Sequence, residues 1–209
     1  MYLSYFLLQL RTIINMKTTL SDIIDSLILG KCDIDKVPYM ILNPISYNDA
    51  ERICFSVNSN NRFYLFSLLE KNNLFISNVD SLKTFKFAYV SSDNINTQCI
   101  RCESNKFDIK HYLRKNTPYG GKYIMDRYEK SVYNKLPQFV DIHRGMSLEE
   151  YNIKNYGISR TLSLAKANFF KNYYRNGNEE GVVMSLKVPK SDIIAYISSR
   201  KEKEVLYIG

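Results

Sequence analysis

Histidine and cysteine are scarce in this chain of 209 residues, and each shortage removes a class of chemistry. The two histidines are His111 and His143, and the four cysteines stand at positions 32, 54, 99 and 102. Cys99-Ile-Arg-Cys102 is the one close pair, and without a second pair or a histidine cluster it does not make a structural zinc site, so no metal is expected. The cysteines read instead as reduced thiols of a cytosolic protein. Glycine and proline are also few, 8 and 5, and are spread along the sequence without a period. That excludes a solenoid, a linker and a disordered tail. Met1 to Asn15 is apolar but lacks the basic start and the small-residue cleavage site of a signal peptide, and it is too short to span a bilayer. It reads either as an upstream extension ahead of an ordinary start at Met16-Lys17 or as an N-terminal helix packed on the core. Export is not indicated, and action in a cytoplasm is expected.

What the chain has is apolar bulk, 45% of residues with 13% aromatic, enough to fill one substantial core or two small ones. The net charge of +8 favours an acidic partner, whether nucleic acid, membrane surface, dinucleotide or acidic protein. Lysine and arginine come in ones and twos, however, with no basic stripe interleaved with aromatics, so the charge reads first as a solvated surface.

The N-terminal half is expected to be mostly helical. Leu20, Ile23, Ile24, Leu27 and Ile28 follow a helical stripe, with Thr19 as cap and Gly30 as terminator. Asn48–Val57 and Arg62–Lys71 are further helices, and Phe85–Ser91 is read as a strand. Asn116-Thr117-Pro118-Tyr119-Gly120-Gly121 is the strongest turn signal and sets the expected boundary between regions 1–118 and 119–209.

Beyond it, Ile124, Tyr128, Val132 and Leu136 recur every fourth residue, predicting an amphipathic helix that Pro137 stops. Phe139 to Arg144 alternates as a strand with Val140, Ile142 and Arg144 on one face; a guanidinium ending an apolar face needs an anion. Tyr156-Gly157-Ile158-Ser159-Arg160-Thr161 follows, then a helix from Leu164 to about Tyr174 capped by Ser163, then a turn at Asn176-Gly177-Asn178. Strands are expected at Met184–Val188, closed by Pro189, at Ile193–Ile197 and at Val205–Ile208. Short strands after a helix-rich half make an α+β fold.

Three segments carry chemistry, in this order: Ile142-His143-Arg144-Gly145, Gly157-Ile158-Ser159-Arg160-Thr161, and Lys201-Glu202-Lys203-Glu204-Val205-Leu206. Together they resemble the signatures of the arginine-serine-glutamate class of mono-ADP-ribosyltransferases: an Arg closing the first strand, a Ser-x-Thr strand, and a Glu-x-Glu before an aliphatic strand. The resemblance covers about a third of the chain, Val140 to Gly209, and implies a split β-sandwich of the ADP-ribosyltransferase type with NAD as co-substrate. It implies that Arg144 anchors the dinucleotide through a bidentate fork and that bare Gly145 lets the backbone approach the carboxamide. Ser159 would orient Glu204, and Thr161 would support its strand. Glu204 would stabilise the oxocarbenium-like ribose as nicotinamide leaves. Glu202, two residues away and on the same face in an extended backbone, would position an arginine acceptor of a protein substrate. The ring stacked on nicotinamide is to be found among Phe169, Phe170, Tyr173 and Tyr156, with Phe170 taken as the pocket residue.

Toxins of this class place a longer insertion between the first two motifs than the fifteen positions that separate Arg144 from Ser159 here. The pocket is therefore abbreviated or completed by the N-terminal half, which would also choose the target. Other readings of the same residues are an NAD glycohydrolase with water as acceptor, a transferase acting on a nucleic-acid base, a binding module that holds nucleotide or nucleic acid without turnover, and a structural or interaction protein in which the three motifs are coincidental.

Overall fold

The computed structural model describes residues 18–100, 107–116, 121–154, 156–173, 181–199 and 201–209. Met1–Asn15, Cys102, Thr117–Gly120 and the expected turn at Asn176-Gly177-Asn178 lie outside them. The chain forms two compact units, Met1–Phe107 and Asp108–Gly209, dividing ahead of the turn after Asn116.

The described part of the first unit is helical. Its helices are α1 (Leu20–Ile28), the short α2 (Val37–Met40), α3 (Tyr47–Phe55), α4 (Ser59–Lys71), α5 (Asn78–Ser91) and α6 (Ile95–Ile100). α1 starts where the sequence places it, because the Thr19 side chain accepts from the Asp22 N–H and the Asp22 carboxylate returns the bond to the Thr19 N–H. Gly30, at φ +65°, takes the left-handed position beyond its end. α4 is buried without a break from Phe63 to Leu69, as a helix enclosed on every side must be. Phe63 and Phe66 stack edge-on against Phe85 and Phe107 at 5.6–5.9 Å, which fixes the core.

Phe85–Ser91, expected as a strand, is the last half of helix α5. The aromatic and branched residues there suggest β-structure, but the buried positions Ser81, Leu82, Phe85, Ala88 and Tyr89 have helical spacing, and Ser77 caps the start. Packing against α4 overrides local propensity.

The second unit begins with α7 (Ile109–Asn116) and α8 (Arg127–Asn134), followed by strand β1 (Phe139–Ser147), α9 (Leu148–Ile153), β2 (Ser159–Thr161), α10 (Leu164–Tyr173), β3 (Gly181–Pro189), β4 (Ile193–Ile197) and β5 (Glu204–Tyr207). The strands join one antiparallel sheet in the order β3-β1-β2-β5-β4. The protein is thus α+β, with its helix-rich part first. The helix expected from Ile124 starts later: Asp126 caps α8 in a capping box with Glu129, Ile124 and Met125 are buried ahead of it, and Tyr128 points to solvent. α8 is tied to β4 by the Tyr133 hydroxyl, which donates to the Ile193 carbonyl, and by the buried Glu129 carboxylate, which accepts from the Ser198 N–H. No helix among the described residues is long and apolar enough to cross a membrane.

Candidate functional site

Sheet order brings the three motif-bearing segments side by side, on β1, β2 and β5. Register makes the contact specific. Ser185, His143, Thr161 and Glu204 stand directly opposite one another across β3, β1, β2 and β5, so their side chains share one face of the sheet. The His143 Nδ1 and the Ser185 hydroxyl are 2.8 Å apart on that face. Glu204 opens β5, pairs with Thr161 on one side and Ile197 on the other, and is buried. Thr161 is the hinge of the arrangement: its Oγ1 donates to the Glu202 carbonyl at 2.6 Å and accepts from the Ser163 N–H, while the Leu162 N–H donates to the Lys203 carbonyl. Thr161 thereby ties β2 to the segment that leads into β5.

Ser159 lies on the same face but pairs with Leu206, which puts it diagonal to Glu204. Glu202 departs from expectation. Lys201 and Lys203 both have positive φ, +56° and +50°, so the segment before β5 turns through left-handed conformations. Alternation between Glu202 and Glu204 is lost, and the Glu202 backbone carbonyl accepts from Thr161. The shared cleft for two carboxylates rested on an extended backbone that is absent there.

The pleat puts Arg144, next to His143, and Arg160, next to Thr161, on the opposite face from Glu204. The anion that Arg144 needs is Glu150, presented by α9 behind the Ser147 cap: Nε and Nη2 donate to its Oε1 at 2.8 and 2.7 Å. Arg144 Nη1 donates to the Ser159 carbonyl at 2.9 Å, so the first motif clamps the second. Arg160 is buried at 5% exposure, its Nη1 donating to the carbonyls of Gly157 and Ser159. The rings of Tyr156 and Tyr207 lie 5.9 and 6.0 Å from its guanidinium carbon. Burial first, and then the Arg144 charge, pull this guanidinium down to about 10, against Glu150, Tyr207 and Tyr156.

Gly145 has a different use from the one expected. A Cβ there would overlap the Ala167 carbonyl of α10, and one at Gly181 would overlap the Lys171 carbonyl. The bare positions admit the helix, which crosses β1 and β3 on the Glu204 face. Phe169 and Phe170 sit on α10 with ring centres 5.5 Å apart, Phe169 exposed and Phe170 half-buried. Tyr156 is engaged with Arg160, and the Tyr173 side chain lies outside the described residues.

Sequence reasoning missed His143 and Glu150. The apolar alternation of Val140 and Ile142 directs attention to the face of Arg144, and only register reveals that His143 is the neighbour of Thr161. Glu150 was readable as a first-turn acid three residues after Ser147, the spacing of a cap. Two concavities are lined elsewhere, one by Arg127, Lys130, Ser131, Asn134 and Lys135 on α8, the other by Ile24, Ile28, Phe55 and Phe87 in the first unit. No group of three or more metal-ligating side chains occurs among the described residues. No family model, curated protein or solved structure matches the chain.

Proposed function

We propose that the protein is an NAD-dependent mono-ADP-ribosyltransferase, releasing nicotinamide and transferring ADP-ribose to a macromolecular acceptor. The observation that carries this reading is the hydrogen-bonded series through the three motifs. Arg144 Nη1 donates to the Ser159 carbonyl, Thr161 Oγ1 donates to the Glu202 carbonyl, and Thr161 stands opposite Glu204. Three segments far apart in sequence, each resembling part of one catalytic signature, thus lie side by side in one sheet. On this reading the five-stranded sheet is the NAD-binding part of a split β-sandwich of the ADP-ribosyltransferase type.

The chemistry asks for a fixed carboxylate. As the nicotinamide-ribose bond breaks, its electron pair leaves with the ring, which becomes neutral, and positive charge builds on the ribose; an anion already in place stabilises that charge without reorganising. Glu204 takes this role, held at a strand junction by Thr161 and the Glu202 carbonyl. Ser159 and Phe170 contribute contacts to ribose and nicotinamide. Arg144, on the opposite face, acts by holding the Ser159 strand through its carbonyl. The acceptor then attacks the ribose carbon and loses a proton.

A second reading has its own support. Because Glu202 sits in a left-handed turn, no second carboxylate is fixed beside Glu204 by strand geometry, and the feature that would position an arginine acceptor is weakened. Water as acceptor, hence an NAD glycohydrolase, is the consequence. Incubation with adenylate-labelled NAD and a cell lysate separates the two: label on protein supports transfer, and labelled free ADP-ribose with none on macromolecules supports hydrolysis. Label on nucleic acid would keep the chemistry and change the acceptor.

A further inference from the structure

We propose that Arg160, on the face of the sheet opposite Glu204, is the centre of a phosphoryl-binding site, with its Nε–Nη2 edge as the contact and Arg144 as its electrostatic partner. The inference stands apart from the transferase reading, since it concerns binding on the other face.

Two guanidiniums and one carboxylate meet here. Arg144 spends its Nε–Nη2 edge, the edge that receives an oxyanion with two parallel bonds, on Glu150. Among the described residues Arg160 has no such partner. Its Nη1 is spent on two carbonyls, and its buried Nε makes no hydrogen bond among the described residues. Leaving a charged donor buried and unpaired is costly, and an arriving anion recovers that cost. The cluster of Arg144, Arg160 and Glu150 carries one positive charge in excess. The flanking Tyr156 and Tyr207 rings are half-buried, and Glu150 and Arg144 are themselves partly open, at 24% and 16% exposure, so the cluster reaches the surface.

A tetrahedral phosphoryl group suits the arrangement better than a planar carboxylate. It can place two oxygens on the Arg160 edge and a third toward Arg144, whereas a carboxylate is satisfied by one fork. Because both guanidiniums donate to the Ser159 carbonyl, an occupied site would also stiffen β2.

The test is calorimetric titration of the full chain with inorganic phosphate and pyrophosphate at constant ionic strength, with acetate and sulfate as controls. Measurable binding of phosphate or pyrophosphate, with acetate much weaker, is the expected result. Arg160→Lys, which keeps the charge and removes the two-donor edge, should weaken it about tenfold or more. Glu150→Gln, which removes the competing carboxylate, should strengthen it several-fold, roughly as one released charge-assisted bond allows. These opposite signs cannot come from a general loss of folding, and the second variant decides the matter should the first be unstable. Equal affinity in wild type and Glu150→Gln, acetate binding as tight as phosphate, or no phosphate binding at all would each overturn the proposal.

Discussion

At the scale of single residues, the behaviour of a glycine depends on what its missing Cβ leaves room for. Gly145 and Gly157 lie in the first and second motifs, yet they predict different outcomes. At Gly145 an added methyl meets the backbone of α10 at Ala167, which cannot yield without moving the helix. Gly145→Ala should therefore cost about 2 kcal/mol or more, in the upper range of overpacked sites. At Gly157 the nearest atom is the end of the Arg144 side chain, 3.1 Å away, which needs to shift by only a few tenths of an ångström rather than move a helix backbone. Gly157→Ala should cost less than about 1 kcal/mol. Urea denaturation of both variants checks the pair, and a larger loss at Gly157 would refute the assignment of α10 to the Glu204 face.

At the scale of elements, caps decide where helices begin, and they are what the sequence makes readable. Thr19 ahead of α1, and Ser163 ahead of α10, could be identified from residue type and spacing. Asp126 with Glu129 follows the same rule, but the four-residue recurrence from Ile124 suggested an earlier start. Asp126→Ala should lower stability by about 1 kcal/mol, by leaving the Glu129 N–H without its side-chain acceptor at the head of α8. Glu129→Ala should cost about 2–3 kcal/mol, because its buried carboxylate also accepts from the Ser198 N–H and hydroxyl. Chemical denaturation of the two variants side by side tests the ranking; equal losses would mean that the link to the end of β4 contributes nothing.

The strands were legible for a different reason. β1, β3 and β4 show alternation or an apolar run bounded by proline or turn residues. Which residues share a face across strands was not legible. Alternation within β1 groups Val140, Ile142 and Arg144 correctly, but whether that group faces Ser159 or Arg160 depends on a one-residue choice of register. That choice is made by the packing of α10 against Gly145 and by the Arg144–Ser159 bond, both of which are long-range. The left-handed turn at Lys201–Lys203 was hidden for a similar reason. Lysine has no preference for positive φ, so nothing local announces it.

At the scale of the whole molecule, each unit has its own core, and the first has a buried thiol that reports on it. Cys54 is fully enclosed in the first unit, and burial pushes its thiol from 9.0 up to about 12. A thiol whose folded value lies above its unfolded value favours the fold below the unfolded value and loses that advantage as pH rises toward the folded one. Stability of the first unit should accordingly fall between about pH 9 and pH 12, by roughly 1.4 kcal/mol per pH unit. Cys54→Ala should flatten that decline, although the cavity lowers stability at neutral pH. Denaturation followed at several alkaline pH values reads both effects, and an unchanged slope in the variant would contradict the enclosure of the thiol. The two cores also bear on division of labour. All three motif segments lie in Asp108–Gly209, so the proposed chemistry belongs to that unit, and target choice by the first unit remains a separate proposal.

The central claim is that Glu204, held by Thr161 opposite it, stabilises the ribose cation as nicotinamide leaves. Release of free nicotinamide from NAD by the full chain, measured beside Glu204→Gln and with both proteins shown to be equally folded, tests it most directly. The account predicts release by the wild type and a loss of about 100-fold or more in the variant, the size expected when a preorganised charge is removed from the transition state. Equal release by the two proteins, or none by the wild type, would contradict it.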